Sequence, residues 1–145
     1  MAELKYKRQI SALPDCPPSG SVGRSAMLFR YVQADIQHPR NFQPPALLNP
    51  QRKFKNDVEC CSGHALSFIE TLDAARAKYK GLKHRHPNIH QTLGTHVAEV
   101  LVQSGDGLLT PARSSHVDLH ENEGTNLLPR ARLIAQLFPE VAHEA

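Results

Sequence analysis

One stretch of this chain sustains a helical period, and it is bounded on both sides by stretches that do not. Leu72, Ala75, Tyr79 and Leu82 recur at spacings of three, four and three, which puts them on a single apolar stripe. Thr71 stands where a cap is needed, and Asp73 in the first turn suits the positive end of the helix dipole. The pattern predicts a helix that starts after Thr71, fades near Gly81 and is closed by Pro87. Around it the period changes to two. In Ala26 to Gln33, Met27, Phe29 and Tyr31 fall on one face and Leu28, Arg30 and Val32 on the other, as in an interior strand. His64 to Ile69 and Thr95 to Gln103 read as strands, and Ser115 to His120 alternates with Val117 and Leu119 on one side. Ser104 to Gly107 is a turn. From Pro129 the tail reads either as a helix that begins on proline or as a strand. The fold class is therefore α+β: a small split or twisted sheet of about four to six strands with one or two packed helices.

Proline divides the rest. Residues 11–23 hold three prolines and two glycines, so residues 1–24 are expected to form a poorly ordered basic, proline-rich arm ahead of a single α+β domain over 25–145. A second break, from about Ala34 to Asp57, carries Pro39, Pro44, Pro45 and Pro50 and predicts a long loop, a place where function often resides. No apolar run approaches the ~20 residues that a membrane helix needs, and the charged stretch Met1 to Ile10 does not resemble a secretory leader. Three cysteines, two of them adjacent at Cys60 and Cys61, do not make a disulfide framework. A reducing, cytoplasmic setting without a membrane partner is the expectation.

Charge is uneven. Residues 1–58 hold nine Lys/Arg against four Asp/Glu, and residues 59–145 hold eight against ten. Two basic clusters, Lys5, Lys7 and Arg8 and then Arg52, Lys53 and Lys55, are candidates for contacts to the phosphates of a nucleotide or nucleic acid, although a solvated surface has the same composition. His116-x-Asp118-x-His120 is a familiar ligand set for zinc or non-haem iron. On a regular strand, however, residues two apart are ~6.7 Å from one another, too far for all three to share one ion. Cys60-Cys61-x-x-His64 lacks the spacing and the second pair of a zinc site. No metal is expected on this reading. Isolated glycines and the lone Gly105-x-Gly107 pair do not make a phosphate-cradling loop.

The order of these elements resembles the ADP-ribosyltransferases of the Arg-Ser-Glu type. The resemblance lies in Arg30 of LFRYV on an early strand, Ser67 of HALSFIETLDAA on a strand leading to a helix, and Glu121-Asn-Glu123 of HENEG late in the chain. The run SFIETLDAARAKY, then THVAEVLV and PRARLI, is similar to the helix and strands that follow the serine in bacterial members, and the likeness spans about residues 26–138. It implies a small split-sheet transferase that uses NAD and passes ADP-ribose to an unknown protein or nucleic-acid acceptor. On it Arg30, His64 and Ser67 are the NAD-binding candidates. Glu123 is then the carboxylate that stabilises the charge developing on the ribose, and Glu121 is the general base on the acceptor. The residues alone leave two alternatives open. One is a non-enzymatic protein or nucleic-acid interaction module, and the other a metal-dependent enzyme built on His116, Asp118 and His120.

Overall fold

A computed structural model describes residues 3–139. Six strands form one antiparallel sheet: β1 (Ala26–Val32), β2 (Leu66–Ile69), β3 (His96–Val102), β4 (Gly107–Leu109), β5 (His116–Glu121) and β6 (Ala131–Gln136), in the order β4-β5-β2-β1-β3-β6. The helices are α1 (Lys7–Ile10), α2 (Pro45–Leu48), α3 (Asp57–Ser62), α4 (Leu72–Arg85) and α5 (Ile89–Leu93), of which only α4 exceeds six residues. The fold is α+β, and no helix among the described residues is long and apolar enough to cross a membrane.

The six strands are not evenly joined. β1 is registered against β3 over seven residues and β2 against β5 over four, but β1 meets β2 at one pair, Phe29 opposite Ile69. The sheet is thus two three-stranded leaves, β4-β5-β2 and β1-β3-β6, that part beyond a narrow junction. One face carries the main core, where Leu28, Leu66, Phe68, Val100, Val102, Val117 and Leu119 are buried together with Leu127. The other face receives α4, whose Ala75 packs with Ile69 and Val97, with Phe29, Tyr31 and Leu72 around them.

Helix α4 forms for the reasons legible in its sequence. Thr71 Oγ1 accepts from the Ala74 N–H, satisfying one of the free donors of the first turn. Ala75 and Tyr79 are buried, while Leu72 and Leu82 are half-buried at the edges of the stripe. The helix continues past Gly81 to Arg85, because nothing obstructs it before Pro87. Val100 and Val102 are buried as expected, but on the face away from α4, and Val97 takes the place beneath the helix.

Three further features bear on the sequence reading. The N-terminal segment touches the sheet at both ends: Leu4 bridges Asn122, Val22 bridges Leu109, and Lys5 N–H donates to the Glu121 carbonyl. Cys16 is disulfide-bonded to Cys61 of α3, leaving Cys60 as the free cysteine. The reading that three cysteines hold no disulfide is therefore corrected. A pairing across 45 residues leaves no local signature, because it depends on the arm folding back. The ambiguous tail is strand β6, since Val97 to Val100 of β3 still needs a partner on its outer edge and residues 131–136 supply it.

Candidate functional site

At the junction of the leaves the Arg30 side chain bridges the gap. Arg30 shares the core-facing side of β1 with Leu28 and Val32, and its guanidinium lies over the Phe68 ring, 5.8 Å from the centroid. Its Nε donates to the Asn41 carbonyl at 2.7 Å, one terminal nitrogen to the Ser67 carbonyl at 2.8 Å and the other to the Gln43 carbonyl at 3.4 Å. All three acceptors are neutral, and among the described residues no carboxylate lies within ion-pair distance of this guanidinium. Desolvation pushes Arg30 down to about 10, against the attraction of Glu121 and Asp118, which leaves it charged at neutral pH.

The long loop expected over residues 34–57 shapes the other wall. It folds into a 3₁₀ turn over Pro39–Phe42 and then α2, each begun on proline, where a missing N–H costs nothing. Asn41 is buried and fully used. Its Oδ1 accepts from the Gln33 N–H, and its Nδ2 donates to the carbonyls of Asp35 and Ile36. This clamp holds the loop over the end of β1. Between loop and sheet lies a cleft of about 520 Å³ whose lining includes Arg30, Arg40, Arg52, Gln43, Asn49 and Ser67, with no acidic residue in the lining. Arg52 also lies over the Phe54 ring and 3.5 Å from Glu59 Oε1. Arg40 and Arg52 are exposed at the rim. A concave site of this size whose lining holds three guanidiniums, one of them shared with Glu59, and no carboxylate of its own is suited to an anion.

The other predicted residues are dispersed. Ser67 lines the cleft and meets Arg30 through its backbone carbonyl, but alternation along β2 turns its side chain to the face opposite Leu66 and Phe68, away from the Arg30 side. Glu121, at the end of β5, shares the face of Arg30. It is buried, and its Oε2 is 3.1 Å from Lys5 Nζ while Oε1 has no partner. Burial raises its carboxyl above the ordinary value, with Lys5 and then Arg30 opposing that shift. Glu123 is exposed in the turn beyond β5, its N–H donating to the Glu3 carbonyl. Neither glutamate lines the cleft.

On the opposite face the His-x-Asp-x-His strand divides. His116 Nε2 is 2.8 Å from Asp118 Oδ1, and Asp118 Oδ2 accepts from the Ser62 hydroxyl at 2.9 Å. His120 instead lies beneath α3, with Nε2 3.9 Å from Cys61 Sγ. His64 is beside that helix, with Nδ1 2.8 Å from the Cys60 carbonyl, and its ring lies between Tyr6 and Phe54. It is not among the residues lining the cleft that holds Arg30. Of the basic clusters, Lys5 is committed to Glu121 and to the Thr125 carbonyl, and Lys7 reaches Glu3. Arg8, Lys53 and Lys55 are exposed.

Sequence reasoning passed over Arg40 and Asn41. Their signal was an Arg-Asn pair between Pro39 and Pro44 in a segment already marked as a loop, where a polar residue is more often solvated than clamped. Comparison with protein-family models, curated proteins and solved structures finds no match for the chain, so its chemistry rests on this geometry.

Proposed function

We propose that the cleft at the β1–β2 junction binds the diphosphate of NAD and that the chain is a domain of the ADP-ribosyltransferase type. The observation that carries the reading is the set of three arginines in the lining of one concavity that contains no acidic residue, with Arg52 alone also paired, to Glu59 outside the lining. Arg30 is held rigidly by Asn41, Gln43 and Ser67, so little side-chain entropy is lost when an anion docks against it. Arg40 and Arg52 complete the fork from the rim. The narrow β1–β2 junction supports the same reading, because it leaves the Ser67 carbonyl free to hold the Arg30 guanidinium at the cleft. The transfer step rests on the resemblance alone: Glu123 stabilising the ribose as nicotinamide leaves, Glu121 activating an unknown protein or nucleic-acid acceptor. A cytoplasmic setting belongs to the proposal too, and there the Cys16–Cys61 pair would be held as thiols.

Titration calorimetry with NAD, run beside a nicotinamide-release assay, tests the reading. Wild-type protein is expected to bind NAD, and Arg40→Ala and Arg52→Ala are each expected to weaken binding about tenfold, the effect of a lost charge-assisted contact. Glu123→Gln should bind NAD normally and release no nicotinamide. Absence of NAD binding by the folded wild type overturns the assignment. The non-enzymatic interaction module then takes its place, with the same arginines as its contact surface.

A further inference from the structure

Cys16, Cys61 and His120 come together on the face opposite the Arg30 cleft. One ligand atom from each of these residues lies within 4.8 Å of the others, and no other group of this kind is found among the described residues. Three separate segments deliver them: the N-terminal arm, α3 and β5. We propose that, once the Cys16–Cys61 bond is reduced, the two thiolates and His120 bind a zinc ion, so that the same pair serves as a covalent staple when oxidised and as a metal site when reduced. The proposal goes beyond the NAD reading and does not depend on it.

Each ligand is chemically prepared. Cys61 and His120 are buried, at 4% and 2% exposure, and Cys16 is half-buried, so the site is largely closed to water yet open on the arm side. His120 points Nε2 at Cys61 Sγ, the orientation in which an imidazole nitrogen and a sulfur share one metal. The His120 imidazole is packed beneath α3 and largely shielded from water, which holds the ring in place beside the sulfurs. The groups facing it are the Cys16 and Cys61 sulfurs, Asp118 on its own strand, and His64 just beyond α3. Asp118 is held by Ser62 and His116, which keeps its carboxylate near the site without making it a ligand. Two thiolates and one imidazole satisfy zinc at about 2.3 Å and 2.0 Å respectively, and water completes the tetrahedron. Zinc here does not require the His116-Asp118-His120 set, which the strand geometry divides.

The chemistry balances with a dithiol as the reductant. The dithiol gives two electrons and two protons to the Cys16–Cys61 bond, yielding two thiols and its own cyclic disulfide. Zinc then displaces one proton from each thiol, and the neutral imidazole binds without losing one. Hydrogen peroxide reverses the sequence: it takes two electrons from the two thiolates, the sulfur–sulfur bond re-forms and zinc is released, while the peroxide O–O bond breaks and two protons from solvent complete two waters.

The test loads zinc or cobalt(II) onto the full chain after reduction and removal of the dithiol, and measures metal content by elemental analysis. Wild type is expected to hold one zinc per chain when reduced and none when oxidised, and cobalt should give thiolate charge-transfer absorption in the near ultraviolet. Cys16→Ser, Cys61→Ser and His120→Ala should each lose the bound metal, while Cys60→Ser and His116→Ala keep it. Circular dichroism identifies any variant that fails to fold. Cys16→Ser lies in the arm outside the sheet, so it remains informative if the two buried variants do not fold. Added hydrogen peroxide should release the zinc from reduced wild type. A reduced, folded wild type without zinc, or zinc retained by folded Cys16→Ser, overturns the proposal. So does loss of zinc on His116→Ala.

Discussion

Arg30 illustrates how one charged side chain ties a strand, its neighbour and a loop together. An arginine on an apolar strand face must find partners for its donors, and the partners here are carbonyls exposed where two strands part and where a loop crosses over. Glu121, on the same face, is the acidic counterpart and is only partly satisfied. Its folded carboxyl is raised above the ordinary value of 4.5. The protonated form therefore favours folding: the contribution is full below that value and is lost as pH rises through the raised one. Urea unfolding across pH should show wild type losing stability relative to Glu121→Gln as pH climbs from about 4 toward neutrality. A constant difference between the two would remove the burial argument. Gly94 carries a second residue-scale prediction. Its φ is +104°, and a Cβ there would collide with the Val32 carbonyl oxygen, which is backbone and cannot turn aside. Gly94→Ala should cost about 1–3 kcal/mol in chemical denaturation, whereas Gly105→Ala, with open space around it, should cost much less.

At the scale of elements, α4 and the strands beside it follow from sequence because their causes are local: period, cap and proline stop. Tyr79 is the anchor of α4, buried and donating its hydroxyl to the Gly94 carbonyl at 2.9 Å. Tyr79→Ala should cost about 3–5 kcal/mol, and Thr71→Ala about 1 kcal/mol through loss of the cap. Leu72→Ala should fall below the ~2 kcal/mol floor of fully buried leucines, because Leu72 is only half-buried. Equal losses at Tyr79 and Leu72 would mean that the stripe is centred elsewhere. What the sequence left undecided was settled by distant partners. β6 exists because β3 has an edge to fill. The faces of Val100 and Val102 depend on which side α4 crosses, which alternation alone does not reveal. Arg30 and Ser67 do fall on neighbouring strands, as their order suggested, but the period of two turns the serine hydroxyl to the wrong face.

For the whole molecule, the arm matters most. Cys16 and Cys61 close a loop of 45 residues that contains β1 and the cleft-forming segment. By the chain-entropy account, Cys16→Ser should cost the oxidised protein about 4 kcal/mol, while leaving the fully reduced, metal-free protein nearly unchanged. Thermal melts of both redox forms check the contrast, and equal destabilisation in the two forms would show that Cys16 acts through packing instead.

The single registered pair between β1 and β2 bears on how the protein opens. Amide protons along β1 and β3 have seven paired positions to protect them, and those on β2 and β5 have four, but little backbone hydrogen bonding transmits an opening from one set to the other. Native-state hydrogen exchange under mild denaturant should therefore resolve two sub-global opening reactions, with Arg30 and the shared core as the main coupling between them. A molecule seated against Arg30 touches both sets at once. Its binding should merge the two exchange isotherms into one, so that occupancy of the cleft is read as cooperativity far from it.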